Sequence, residues 1–298
     1  MQVPHITVCV CTLKRRKLLI QLLEHLATLQ TEGLFTYSVI VADNDSLRSA
    51  EEVVAEFSSS AHLTVRYCVE PLQNIAMARN RALQHAEGDL IAFIDDDEFP
   101  DGDWLQNLFN TLVTYGADAV LGPVKPHFEA DAPAWMKKGK FFERPTHSTG
   151  YKVNWNEART GNVVFRKSIL SAVDVPFKPE FGLGGEDVDF FRRMAEKGCT
   201  FIWCNEAVVY EVVPPSRCRL SYLLNRALLR GSNFCNHPTH RFRNAAKSLF
   251  AVPCYALALP ILALGGPQWF VRYLIKLFDH ASRLLALIGL KLVTRREI

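Results

Sequence analysis

Four consecutive carboxylates, Asp95-Asp96-Asp97-Glu98, follow directly on the apolar run Leu90–Ile94. Like charges packed this closely repel one another unless a cation lies among them. On extended backbone Asp95 and Asp97 would project to the same side. Two such oxygen donors can hold Mg2+ or Mn2+, hard cations that bridge a substrate diphosphate; a solvated acidic turn is the plain alternative. Asp43, which closes the run Tyr37–Ala42, could accept a hydrogen bond from a base N–H or a ribose hydroxyl. An Asx turn through Asn44 and Asp45 would account for it equally well. Arg79 could neutralise a phosphate by bidentate bonding or serve as an ion-paired arginine. Glu186-Asp187 follows the glycine loop Gly182-Leu183-Gly184-Gly185. There Asp187 could act as general base on a substrate hydroxyl, with Glu186 binding another acceptor hydroxyl; helix capping and dipole pairing are the alternative. Neither GxGxxG nor GxxxxGK[ST] occurs, which disfavours a dinucleotide oxidoreductase and a P-loop nucleotidase.

These residues need elements to hold them. Short apolar, β-branched runs predict strands over Ile6–Cys11, Tyr37–Ala42, Leu63–Val69, Leu90–Ile94 and Thr160–Arg166, with Phe201–Val213 also strand-like. Helical spacing predicts helices over Leu18–Leu29 and Ile75–His85, a short one over Lys167–Ala172, and one from Glu186 to about Lys197. Alternating strands and helices imply an α/β fold with a mostly parallel sheet, and such sheets bind ligands beyond the carboxyl ends of their strands. Three predicted strands end there in polar clusters: Thr12 with Lys14-Arg15-Arg16, Asp43-Asn44-Asp45, and Asp95 to Glu98. Residues 123–160, interrupted by Pro123, Pro126, Pro133 and Pro145, are expected to be irregular and to cover the site.

As an ordered set, the motifs resemble the family 2 glycosyltransferases of the GT-A nucleotide-sugar-binding fold. They are Cys11-Thr12, Val41 through Ser46, Asn74 with Ala78-Arg79-Asn80, Phe93 through Glu98, Thr160-Gly161-Asn162 and Gly184-Gly185-Glu186-Asp187. The block Val213 to Arg217, with Tyr222 through Arg226 and Arg230-Gly231, looks most like the exopolysaccharide glucosyltransferases of the succinoglycan-assembly type. The resemblance implies inverting transfer from a UDP-sugar. Asp43 would meet the uracil, Thr12 would line the nucleotide pocket and Arg79 would approach the nucleotide or diphosphate. Asp95 and Asp96 would touch ribose or sugar, Asp97 (with Asp95 assisting) would hold Mg2+ or Mn2+, Gly161 and Glu186 would bind acceptor, and Asp187 would deprotonate the acceptor hydroxyl. Two departures stand out. Many relatives place a His after the strand corresponding to Ala207–Tyr210, where this chain has Glu211, and the processive QxxRW signature is absent. Arg226 and Arg230 would supply cationic contacts to the diphosphate instead, and single addition is favoured over polymerisation.

The net charge of +3 conceals a split. Residues 1–213 hold 21 Lys+Arg against 29 Asp+Glu, and residues 214–298 hold 13 against 2. A catalytic domain over 1–240 and a basic, apolar helical segment over 241–298 are therefore expected. Between Lys247 and Arg272 lie 24 uncharged residues, enough to span a bilayer but interrupted by Pro253, Pro260, Gly265-Gly266 and Pro267. Arg272, Lys276, Asp279 and Arg283 form a polar stripe suited to a helix at a membrane interface. Nucleic acid is not an expected partner, since the tail is apolar and lacks a recognised module. The eight cysteines include no CxxC pair and read as reduced structural thiols. The N-terminus lacks the pattern of a signal peptide, which points to the cytoplasmic face of the inner membrane.

The expected function is a metal-dependent, inverting transfer of one sugar from a UDP-sugar to a hydroxyl of a lipid-linked saccharide in polysaccharide biosynthesis. The alternatives are a polyprenyl-phosphate glycosyl synthase and a non-catalytic membrane protein that binds nucleotide sugars or glycans.

Overall fold

In the computed structural model, residues 3–60, 62–182, 184–234, 241–290 and 292–293 are described, except for the side chains of 232–234 and 241–245. The chain forms two compact units, residues 1–126 with 144–212 and residues 127–143 with 213–298. The expected boundary at 240/241 adjoins 235–240, which lie outside the described residues.

The first unit is built on a sheet of order β3-β2-β1-β4-β8-β6-β9. Its strands are β1 (His5–Thr12), β2 (Thr36–Asp43), β3 (Val65–Val69), β4 (Leu90–Ile94), β6 (Ala119–Leu121), β8 (Asn162–Arg166) and β9 (Phe201–Trp203). All pair in parallel except β8, which runs antiparallel to β4 and β6. Both faces are covered, so the central strands are apolar at nearly every position. Ile6, Val8 and Val10 pack with Leu19, Leu22, Leu23 and Leu26 of α1 (Arg16–Leu26) and with α2 (Glu51–Ser60) and α4 (Trp104–Thr114). Cys9 and Cys11 turn to the other face, under α3 (Ile75–His85) and α6 (Glu186–Glu196). There burial pushes the thiols above the ordinary range, and all seven described cysteines are free.

Where an element was expected the observed strands and helices follow it closely, with three departures, whereas α2, α4 and β6 carried no expectation. Phe201–Val213 divides into β9 and β10 (Val209–Val213). Residues 123–160 contain β7 (Val124–Phe128) and the short helix α5 (Ala134–Gly139). A smaller sheet of order β5-β10-β7 includes β5 (Glu98–Pro100), which begins at the last of the four carboxylates.

The second unit comprises α5, α7 (Leu220–Phe234), α8 (Arg241–Leu264) and α9 (Pro267–Leu287). Met136, Phe142, Val213, Leu223 and Val271 form its core. Contrary to the expected interruption, α8 continues through Pro253 and Pro260. The chain breaks at Gly265-Gly266, where Gly266 has φ +108, and Pro267 then opens α9. The polar stripe of α9 is partly engaged within the unit: Asp279 is buried, whereas Lys276 is exposed. Buried Asp279 receives Arg230 of α7 at 2.9 Å and Arg283 at 2.5 Å. Lys276 lies over the rings of Tyr255 and Tyr273, and Arg272 donates to the Gly139 carbonyl at 2.7 Å.

Candidate active site

The carboxyl ends of β1 and β4 lie side by side in the sheet, and their side chains meet. Thr12 Oγ1 donates to Asp96 Oδ2 at 2.8 Å. Arg15, in the turn before α1, donates to Asp96 Oδ1 at 2.8 Å and Asp97 Oδ2 at 3.2 Å. Asp96 is 4% exposed. Burial, with the Asp97 charge adding to it, pushes its carboxyl up to about 6 against the opposing pull of Arg15 and Thr12.

The extended backbone expected through the four carboxylates is corrected here. Glu98 N–H bonds to the Asp95 carbonyl at 3.1 Å, closing a turn that ends β4 and restarts as β5. A turn abolishes strand alternation. Asp96 and Asp97 therefore share Arg15, while Asp95 goes elsewhere. The Asp95 side chain is 42% exposed, with Arg79 Nη2 3.4 Å from its Oδ1. Glu98 is buried and bonds the Asp95 N–H at 3.2 Å. Its carboxyl is raised well above the ordinary range by burial and then by Asp95 and Glu211, with Arg144 opposing.

Arg79 sits on the buried face of α3, which starts at Asn74. The Asn74 side chain accepts the N–H groups of Ala76 and Met77 as a cap. Besides Asp95, the Arg79 guanidinium bonds Glu186 in the first turn of α6. It thereby ties the end of β4 to the candidate base helix. Gly184 and Gly185, with φ of +127 and +98, turn the chain sharply into that helix in a conformation other residues adopt poorly. Asp187 follows, its side chain 17% exposed and 3.9 Å from Arg159 Nε.

Gly161 opens β8 against the same cluster. A Cβ there would lie 2.8 Å from Glu98 Oε1 and 3.2 Å from Asp95 Oδ2, so only a glycine lets the backbone approach. Next to it, Asn162 donates to the carbonyls of Pro123 and Ala207 and accepts from Trp104 Nε1 at 2.8 Å. This buried amide fixes three segments around the site.

Thr12, Arg79, Asp95, Asp96, Asp97, Gly161 and Glu186 thus come together, with Asp187 on the adjoining turn. Asp43 ends β2 but its oxygens are taken locally. Oδ1 accepts from Asp45 N–H (3.1 Å) and Ser49 Oγ (3.4 Å), and Oδ2 from Ala50 N–H (2.7 Å) and Tyr67 Oη (2.9 Å). These four donors match the roughly four acceptor positions of a carboxylate, so the Asx-turn alternative is realised. Arg226 and Arg230 lie on α7 in the second unit, where Arg230 pairs with Asp279.

Two further arginines emerge from the structure. Arg15 belongs to a polar strand end legible in sequence, although nothing in its spacing assigns it to Asp96 and Asp97. Arg144 bonds Glu211 at 2.5 Å; its irregular surroundings carry no signal at all.

Among the described residues, no cluster of three His, Cys, Asp or Glu is preformed to hold a metal ion. The donor chemistry still fits a hard divalent cation: the Asp95 side chain is 42% exposed, and Asp97 supplies a second carboxylate from the same turn. Asp95, Asp96, Asp97, Glu98, Glu186 and Glu211 also outnumber the guanidinium groups of Arg15, Arg79 and Arg144.

A family model described as Glycosyl transferase family 2 matches residues 7–173. The succinoglycan biosynthesis protein ExoM of Rhizobium meliloti (strain 1021) is 36% identical over 301 residues, covering 96% of this chain and 94% of that protein. Glycosyltransferase AglE of Haloferax volcanii is 26% identical over 181 residues, 61% of this chain and 58% of its own. The crystal structure of S. aureus TarS 1-349 in complex with UDP superposes with a TM-score of 0.55 at 18% identity, covering 96% of this chain and 92% of that one. The same protein in complex with UDP-GlcNAc gives a TM-score of 0.54; at these identities the likeness is one of fold. The chain belongs to glycosyl transferase family 2 and is a glycosyltransferase with a GT-A-like α/β fold.

Proposed function

We propose that the protein transfers a single sugar, with inversion, from a UDP-sugar to a hydroxyl of a lipid-linked saccharide during exopolysaccharide assembly at the cytoplasmic face of the plasma membrane. The observation that carries this reading is the Asp95–Arg79–Glu186 chain, which joins the acidic turn after β4 to the helix bearing Asp187. It links the acidic turn, proposed to meet diphosphate and metal, to the helix that carries the proposed base. The naming of ExoM for succinoglycan biosynthesis and the UDP complexes of TarS support the substrate classes.

Asp95 and Asp97 would hold Mg2+ or Mn2+. When bound, such a cation offsets charge developing on the leaving diphosphate. Asp187, in the first turn of α6, takes the proton of the acceptor hydroxyl. Thr12 and Arg15 hold Asp96 and Asp97 in place, and Asp96 bounds the donor pocket. Gly161 lets β8 approach the carboxylates of Asp95 and Glu98, at the place proposed to meet the acceptor, and Glu186 orients Arg79. Asp43 secures the loop 43–50 from beneath, below the expected uracil position.

Asp187→Ala and Asp187→Asn test the base directly. Both should fold and bind UDP-sugar while transfer falls by at least about a hundredfold, the range general-base removal commonly costs. Full transfer by Asp187→Asn would overturn the hydroxyl-acceptor mechanism.

A further inference from the structure

From Leu249 to Leu264 the outward face of α8 is apolar. Leu249 (62%), Phe250 (77%), Leu257 (78%), Ile261 (72%) and Leu264 (89%) are exposed. They recur at the three- and four-residue steps that make one side of a helix. Large apolar side chains this open on one continuous face signify a partner. The opposite face of α8 is committed to α9: Ser248 Oγ bonds His280 Nδ1 at 2.9 Å, and Tyr255 packs against Tyr273 with ring centres 5.6 Å apart. Beyond it, α9 packs closely on α7, for a Cβ at Gly231 would lie 2.4 Å from the Asp279 carbonyl. Ser282 Oγ also donates to the Leu228 carbonyl at 2.6 Å.

We infer that α8 lies flat on an anionic bilayer surface, its outward face in the lipid and its inner face on α9, instead of crossing the bilayer. Three observations on the second unit support this. First, a spanning α8 would draw α9 with it and carry Arg272, Lys276, Asp279 and Arg283 to membrane depth, a costly placement. Second, Pro253 and Pro260 stand within α8 and supply no N–H to the carbonyls of Leu249 and Ala256. A hydrated interface satisfies carbonyls that lose their helical donor more readily than a hydrocarbon core does. Third, charge is complementary to anionic lipid. Arg241, Arg243 and Lys247 precede the uncharged stretch, Lys291, Arg295 and Arg296 follow α9, and residues 214–298 hold only two acids. This extends the membrane location proposed above, but lipid binding is read without any sugar transfer, so the two stand or fall separately.

The test uses the full chain and preformed vesicles of phosphatidylethanolamine with phosphatidylglycerol, against vesicles of phosphatidylcholine alone. Cosedimentation with the anionic vesicles is expected, weakened by salt. The double variant Phe250→Glu/Leu257→Glu changes exposed residues only, so its circular dichroism and melting should match the wild type while vesicle affinity falls by more than about tenfold. A nitroxide on Cys254, an exposed thiol in mid-helix, with Cys254→Ser as labelling control, reports depth. The expected depth is within about 10 Å of the headgroups. Failure to bind anionic vesicles, unchanged binding by the double variant, or a label at the bilayer centre would each overturn the inference. So would a lipid-free dimer that the double variant splits without any vesicle binding by the wild type.

Discussion

Arg15 faces two carboxylates at once, and its loss would leave Asp96 and Asp97 buried without their cation. Arg15→Ala should therefore lower transfer by about a hundredfold or more, since an uncompensated buried charge costs several kcal/mol, with Arg15→Lys recovering part of it. Initial rates on variants with wild-type circular dichroism check this. Gly161→Ala bears on the same cluster from the other side. Its methyl must displace Glu98 and Asp95, and an activity loss of about tenfold or more, equivalent to 1.4 kcal/mol in the barrier, is expected while the protein stays folded. At this scale the sequence was partly legible. The acidic run at a strand end, Arg79 and the Glu186-Asp187 pair are visible as types in a pattern. Which carboxylate meets which arginine is set by the turn at Asp95–Glu98, and one backbone hydrogen bond decided against alternation. Asp43 shows the same limit, for an acid at a strand end reads alike whether its acceptors meet a ligand or its own loop.

Elements were more readable than contacts. Leu90–Ile94 and Ile75–His85 are bounded as their apolar runs and the Asn74 cap dictate. The expected strand Phe201–Val213 splits because Asn205 and Glu206 sit in a turn between two short strands. In α4, Trp104, Leu105, Leu108 and Leu112 carry a helical spacing as clear as that of α1, although no chemistry-bearing residue draws attention to it. That helix is tied to β8 by the bond from Trp104 to Asn162. Asn162→Ala removes three buried hydrogen bonds and should cost about 3 kcal/mol, seen as a lower midpoint in denaturant unfolding. In the second unit, Gly231→Val would drive a branched side chain into the Asp279 carbonyl. A lower thermal midpoint is expected, with vesicle binding reduced alongside it because α9 supports α8.

For the whole molecule, the split in charge has two separate causes. Much of the acidic excess of the first 213 residues gathers at the strand ends of the first unit, and the cationic excess accompanies the uncharged face of α8. Composition revealed the split, but the pairing of Asp279 with Arg230 and Arg283 needed tertiary packing to be seen. The central claim is a cation-assisted, base-catalysed transfer from a UDP-sugar. Its most direct measurement is UDP release by the full chain from a panel of UDP-sugars, UDP-glucose first, with membrane lipid extract as acceptor and product mass as readout. Release coupled to a lipid product one sugar heavier, abolished by EDTA, restored by Mn2+ or Mg2+, and lost in Asp187→Ala, is the expected result. Undiminished transfer in EDTA, or by Asp187→Ala, would contradict the account.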